Sequence, residues 1–439
     1  MFCFEYFSFK KKNNLKKFII SFILVYSSIF GQPDPYNPEF ISKLPFDSEI
    51  ISLPRTDGDL SVFYIYRIPY RLLVFERQAE SFTAAFRVIV EITDKYAKLV
   101  SRDIKDSKVS VSSFEETHDI SYFIQDYLKF KIKPGEYKIT ATISDMNSTG
   151  EVAIKPIKVN LQKYKDKIVQ HPFVIAAREL LCDEQRAFVL ANMGGNIPFS
   201  SENFHLIIPV TDTSITELNV EIESNDQTII STKVNESHTI PVGITECKNY
   251  LSITRDSETV PLKNFVLRDV NLGLDEGELI LKIRNKEHSI DEEFISKIVW
   301  FNKPFSLMDP EKAIEFLNYI ETDSVVSSLL KNKSSKYPEI LKQYWSKFDP
   351  TPETTYNEVM FEYYSRVDHA IKEFRGIGKN NGAKTDRGIV FIKFGKPDKI
   401  ERSSNPQGQM MEIWTYSKSE RKFSFVDKKG IGNFILTEN

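Results

Sequence analysis

The spacing of apolar residues changes once along this chain, and that change constrains its architecture more than any single motif. Between Leu60 and Trp300 apolar residues recur mostly at every second position, the period of half-buried strands. "LSVFYIYRIPYRLLVFE" (Leu60–Glu76) and "FTAAFRVIVEIT" (Phe82–Thr93) show it plainly. "DYLKFKIKPGEYKITATISD" (Asp126–Asp145) reads as strand, Pro-Gly turn, strand, with Pro134 presetting φ and Gly135 permitting positive φ. "VAIKPIKVNL" (Val152–Leu161) closes the set. Short strands with turn signals and no long helical pattern point to a β-sandwich.

The following segment varies the same theme. "LGLDEGELILKIRN" (Leu272–Asn285) echoes "FKIKPGEYKITATI" (Phe130–Ile143), with Gly277-Glu278 matching Gly135-Glu136. The echo suggests a second sandwich on a similar plan, its last hairpin aligned with that of the first. Convergence of two ordinary hairpins on one turn chemistry is the alternative, and the sequence leaves both open.

After Trp300 the period becomes that of amphipathic helices. Asp309-Pro310 marks a helix start, Asp as N-cap and Pro in the first turn. Ala313, Ile314, Phe316, Leu317 and Ile320 form its stripe. Leu341, Tyr344, Trp345 and Phe348 share a second face, ended by Asp349-Pro350-Thr351-Pro352. A longer helix carries Val359, Met360, Tyr363, Tyr364, Val367, Ala370, Ile371 and Phe374, and closes near Gly376–Gly378. Strands are expected again at "GIVFIKFG" (Gly388–Gly395), "MEIWTYS", "KFSFVD" and "GNFIL". The expected fold is multidomain and mainly β: two immunoglobulin-like antiparallel β-sandwiches, residues 49–165 and 166–304, then an α+β domain, 305–439, of helices followed by a small antiparallel sheet.

The first 48 residues have a different character. Lys10 to Lys17 reads KKKNNLKK, and the apolar "FIISFILVYSSIFG" (Phe18–Gly31) follows before a polar, proline-rich leader at 32–48. This is a secretory signal pattern over residues 1–31, cut near Gly31-Gln32. Its apolar stretch is short against the roughly 20 residues of a membrane span, so an uncleaved anchor is the weaker reading. No transmembrane segment is expected after cleavage, and the chain is expected to be exported, periplasmic or associated with the outer membrane or cell surface. Two cysteines would then remain in a disulfide-permissive compartment, Cys182 and Cys247. They are either two buried small hydrophobes or a bridged pair.

Several chemistries can be set aside. A formal net charge of -3 gives no electrostatic case for nucleic acid. Gly376, Gly378 and Gly382 follow no strand, so they are no dinucleotide fingerprint. Gly395-Lys396-Pro397 lacks the spacing and the N–H groups of a phosphate loop. The six histidines are scattered without an i, i+4 pair, and no metal or other cofactor is expected. No Gly-x-Ser-x-Gly elbow supports a hydrolase triad. The remaining catalytic candidates are carboxylates, Asp386 and Glu412 above all, with Asp398 and Glu401 near them. Turn-forming roles for Asp386 and Asp398, and cross-strand pairing of Glu412 with Arg387 or Lys393, are the structural reading. The aromatic helix faces (Tyr344, Trp345, Tyr363, Tyr364) are core by default and a partner-binding groove in the sharper reading.

Together the C-terminal residues resemble a GWxTD domain. "QYWSKFDPTPETTYNEVMFEYYSRVDHAIKEF" looks like its entry, with Trp345, Asp349-Pro350-Thr351-Pro352, Asn357-Glu358, Tyr364, Arg366-Val367 and Ala370. In "GAKTDRG" Gly382, Thr385 and Asp386 match the namesake motif, while Ala383 replaces its tryptophan. Arg387-Gly388, Gly395-Lys396-Pro397-Asp398, "EIWTY" and "FSFVD" follow in family order. A fainter likeness, through Gly395-x-Pro397 and Trp414-x-Tyr416, is to small envelope-assembly modules of the outer-membrane barrel machinery. The resemblance implies an exported bacterial envelope protein of unassigned biochemical role, a binding or scaffold component contacting another envelope protein. The residues it marks for binding are Gly382, Thr385, Asp386, Arg387, Gly388, Gly395, Pro397, Trp414 and Tyr416. A carboxylate-dependent hydrolase of envelope polymer is the alternative.

Overall fold

A computed structural model describes residues 47–118, 122–192, 194–270, 273–376 and 381–438. The signal-like segment 1–31 and nearly all of the leader lie outside them, as does Gly378 at the expected helix close. Nine strands come first: β1 (Asp47–Pro54), β2 (Leu60–Pro69), β3 (Glu76–Gln78), β4 (Ser81–Asp94) and β5 (Leu99–Val111). After them come β6 (Phe123–Ile132), β7 (Gly135–Asp145), β8 (Glu151–Ala153) and β9 (Ile157–Leu161). They form two antiparallel sheets, β1-β2-β6 and β5-β4-β7-β9, with β3 and β8 as short additions on β4 and β7.

The second set starts with β10 (Phe173–Cys182), β11 (Gln185–Leu190), β12 (Ile197–Pro198), β13 (Phe204–Val210), β14 (Leu218–Ser224) and β15 (Gln227–Val234). It continues with β16 (Ser237–Ile240), β17 (Val242–Cys247), β18 (Tyr250–Arg255), β19 (Leu262–Leu267), β20 (Gly277–Asn285) and β21 (Ile290–Val299). One sheet contains β10-β13-β19 and the other β15-β14-β20-β21. Strand for strand this is the three-plus-four plan of the first pair, the immunoglobulin-like arrangement. The Gly-Glu echo has a structural counterpart, because Gly135 and Gly277 open equivalent strands. The expected hairpins do not form, however. β6 and β7 belong to different sheets, and so do β19 and β20, so both turns are arches between sheets.

Insertions distinguish the second sandwich. β11, β18 and β17 widen its first sheet beyond β10. Asp183-Glu184 and Lys248-Asn249 all have positive φ, as two-residue hairpin turns of matching twist require. A disulfide between Cys182 and Cys247 joins the two hairpin tips, with Cα atoms 6.0 Å apart and a sequence separation of 65. Closing a loop of that length is worth about 4 kcal/mol in the chain-entropy picture.

The two sandwiches are stacked rather than strung. β2 was expected to be half-buried, yet every residue from Leu60 to Ile68 is buried or nearly so on both faces. Its odd residues Phe63 and Ile65 pack with Leu53 against Phe173, Ile175, Ile207 and Ile253 of the second sandwich. Its even residues Val62, Tyr64, Tyr66 and Ile68 are buried on the other face, toward Phe86, Val88, Val90 and Ile92 of β4. A strand covered on both sides reads as a nearly continuous apolar run, as "VFYIY" does. Main-chain bonds Thr56 N–H to Glu258 O (3.0 Å) and Val260 N–H to Pro54 O (2.8 Å) seal the rim.

Five helices follow: α1 (Pro310–Phe316), α2 (Asp323–Leu330), α3 (Tyr337–Trp345), α4 (Glu358–Glu373) and α5 (Asp386–Phe394). They precede a four-stranded antiparallel sheet, β22 (Lys399–Ser404), β23 (Met410–Tyr416), β24 (Arg421–Asp427) and β25 (Ile435–Glu438). Asp309 caps α1 as expected, accepting from Glu311 and Lys312 N–H. The helices share one core with the second sandwich. Phe199, Trp300 and Tyr356 meet with ring centroids 5.2 to 5.4 Å apart, and Lys342 pairs with Asp275 at 2.8 Å. The described residues from Asp47 onward form one compact unit.

A charged cluster sits in the seam between β1 and the 194–196 turn. Burial pushes the Glu49 carboxyl up to about 7, against one N–H from Gly195. Burial also pushes Asp47 up to about 6, although Arg67 lies 3.8 Å away. A carboxyl whose folded pKa is raised holds its proton longer in the native chain, so stability falls as pH rises through the window between the two values. We expect the melting temperature to drop between about pH 4 and 7 and to level off above. The Glu49 share of that loss is on the order of 3 kcal/mol. Glu49→Gln should remove about half of the slope in a thermal-melt pH series, the rest belonging to Asp47; an unchanged slope would show that Glu49 is not a titrating group.

Candidate functional site

The motif region departs most from expectation. Residues 388–394 were expected as a strand and form the body of α5. Thr385 is its N-cap, the hydroxyl accepting from Gly388 N–H at 3.1 Å, and Gly395 ends it at φ +78°. Val, Ile and Phe favour strands, but a capped start and a glycine stop outweigh them once the buried set is Gly388, Val390, Phe391 and Ile392, a helical arc. The approach of α5 to the turn before it is very close. A Cβ on Gly388 would lie 2.0 Å from the Gly382 carbonyl oxygen, and one on Gly382 would lie 2.1 Å from that of Ala370.

Each polar motif residue then ties this helix to something else. Asp386 accepts from Leu436 N–H at 2.8 Å, fastening α5 to β25. Arg387 reaches Glu412 on β23 at 3.2 Å and lies over the Phe434 ring at 4.1 Å. Glu412 is 4% exposed and also receives Arg402 at 2.9 Å and the Trp414 indole N–H at 3.3 Å. The expected pairing of Glu412 is therefore with Arg387, though from a helix and not across a ladder. Asp398 accepts from Ser417 N–H at 2.6 Å, and Tyr416 donates to the Gly395 carbonyl at 2.9 Å. Burial pushes the Tyr416 phenol well up, reinforced by Asp398. Burial works against ionisation of Asp427, but N–H groups of Gly432, Ile431, Lys429 and Gly430 outweigh it and hold its carboxyl below the usual range.

Of the expected binding residues, Gly382, Thr385, Gly388, Gly395, Pro397, Trp414 and Tyr416 are buried, and Asp386 and Arg387 are partly buried. They come together, but as the interior joint between α5 and the sheet, with no side chain of the buried seven presented to a partner. Ala383, at the tryptophan position, is fully buried in the main core. The entry signature is equally internal. Asn357 caps α4 through Met360 N–H at 2.8 Å and donates to Trp345 O at 2.9 Å, while Tyr364 donates to Ala313 O at 2.8 Å. Tyr344, Trp345, Tyr363 and Tyr364 are core, not groove. Among the described residues no group of three His, Cys, Asp or Glu is placed to hold a metal, and no helix is long and apolar enough to cross a membrane. Glu412 as a hub, with Arg402 and Phe434, exceeded the sequence reading. Its signal was a charged residue on the same strand face as Trp414 and Tyr416.

Arg387 and Arg402 should separate cleanly on mutation. Side-chain exposures are 13% for Arg387, 69% for Arg402 and 6% for Glu412. Arg387→Met should cost about 3 kcal/mol by leaving a buried carboxylate short of its partner. Arg402→Met should cost less than about 1 kcal/mol. Thr385→Ala should cost about 1 kcal/mol and Thr385→Ser almost nothing. Urea denaturation of the four variants checks the ranking, and equal losses for the two arginines would contradict it.

The family model described as "GWxTD domain" matches residues 286–436. It opens in the turn before β21, so the matched region includes the last strand of the second sandwich. No curated protein matches the chain. Among solved structures, "Biofilm associated protein - BSP domain" aligns at 8% identity over 59% of this chain, with a TM-score of 0.16. The alignment spans 52% of that structure, about half its length, and at such a score it shows no shared fold. Motif order and the family match agree: the C-terminal region of this protein, residues 286–436, carries a GWxTD domain.

Proposed function

We propose that this protein is an exported, non-enzymatic component of the cell envelope, a scaffold whose GWxTD domain contacts another envelope protein. The observation that supports this most is the commitment of the motif's polar groups to internal bonds. Glu412 is enclosed by two guanidinium groups and an indole, and Asp386 by a main-chain N–H, which leaves neither placed as an acid–base pair. That argues against the carboxylate-dependent hydrolase. The signal pattern of residues 1–31 and the Cys182–Cys247 bridge support export to an oxidising compartment. The stack of sheets supports a rigid presenting role. The contact surface in this reading is β22, the edge of the last sheet, whose six residues are all exposed and whose Ile400 is 46% exposed. An extended partner segment would add there as a strand.

A photo-crosslinking residue at Ile400 or Glu401, introduced into the protein in its native host, tests this. The reading predicts the chain in the envelope fraction, processed near Gly31, with a discrete crosslinked envelope protein that is lost when the probe is moved to exposed Tyr96. Cytoplasmic, unprocessed protein, or identical products from both positions, would contradict it.

A further inference from the structure

We propose that two copies of this protein associate through the free edge of β5, joining their outer sheets into one antiparallel sheet. β5 is 13 residues long and pairs with β4 over most of its length, with no strand on its other side among the described residues. Long edges are a hazard that proteins usually blunt with charge. Here the charges are arranged to match their own reverse. Centred on Ile104, the run Arg102-Asp103-Ile104-Lys105-Asp106 is self-complementary in antiparallel pairing. With a two-fold axis at Ile104, Asp103 faces Lys105 of the second copy and Arg102 faces its Asp106, each pair occurring twice. Ser101 then faces Ser107, and Leu99 faces Val109. Centring instead on residue 102, 103, 105 or 106 sets two like charges together at the axis.

The neighbouring strand extends the match. In the β4–β5 register Ile89 stands beside Ile104, Arg87 beside Asp106 and Glu91 beside Arg102. Arg87 already binds Asp106 at 2.6 Å and Arg102 lies 3.4 Å from Glu91. Across the joined sheets one row reads Glu91, Arg102, Asp106, Arg87, alternating in sign. The central row is four isoleucines. Ile104 and Leu99, 46% and 51% exposed, would both be covered. The Ile104 N–H is held by the carboxylate of Asp103 at 2.8 Å, which shows that it points away from the β4 ladder. In the pair the carbonyl of the second Ile104 takes that N–H and frees Asp103 for Lys105. Lys105 keeps its bond to Asp126 at 2.6 Å and has donors to spare.

Sedimentation velocity of the purified full-length chain tests the pairing. A single strand-to-strand contact is small, so dimer should appear with rising concentration on the order of 10–100 μM. Arg102→Asp and Asp106→Arg should each weaken dimerisation at least about tenfold, with circular dichroism unchanged, because each opposes like charges across the axis. Mixing the two variants should restore dimer, since every facing pair is then of opposite sign. A wild-type chain that stays monomeric over that range, single variants that dimerise as wild type does, or a mixture that stays monomeric would each overturn the proposal.

Discussion

Everything in this structure leans on β2, a strand with water on neither face. Phe63 and Ile65 fill the contact with the second sandwich, and Tyr64 and Tyr66 are buried on the side of the first sandwich's outer sheet. An ordinary tandem of sandwiches joined by a linker would leave one face of that sheet wet and the domains free to move. Here the sheets are layered, and the second sandwich shares its core with the helices that follow. The consequence is mechanical. The last sheet, with β22 at its edge, belongs to the same compact unit as β1 and β2.

Within that frame the GWxTD motif is a fastening. Thr385 starts α5, Gly382 and Gly388 let it approach its neighbours, Asp386 holds β25, and Arg387 holds β23 through Glu412. The motif's buried residues serve the packing of this joint, and the contact surface proposed above lies on β22, outside it. Ala383 fits the same view. The position is fully interior, so its occupant affects packing before it affects any partner.

How much of this was legible in the sequence depended on how local its cause was. The N-caps at Asp309 and Thr385 are equally local, but the Val, Ile and Phe of "IVFIKF" favour strands and mask the second. The three-plus-four strand plan was half visible in the two Gly-Glu pairs. That they open arches between sheets is a matter of which distant strand accepts each ladder, and no nearby residue encodes that. Double burial of β2 was signalled by the unbroken "VFYIY" run, which a half-buried strand has no reason to carry. The Cys182–Cys247 bridge depends on two inserted hairpins curling together, so spacing alone left it open. Glu412 was seen as a residue but not as a hub, since its second arginine sits on the facing strand.

The central claim, that the described chain is one continuously packed body, is tested most directly by an unfolding experiment that reads one end while perturbing the other. All three tryptophans, Trp300, Trp345 and Trp414, lie at or beyond the end of the second sandwich, and Phe63 lies in the first. Phe63→Ala should cost about 3–5 kcal/mol. If the packing is continuous, the tryptophan-fluorescence midpoint in urea shifts by the same amount as the midpoint seen by circular dichroism, in one transition. A fluorescence midpoint that stays at its wild-type value while circular dichroism shows an early loss of β structure would contradict the account.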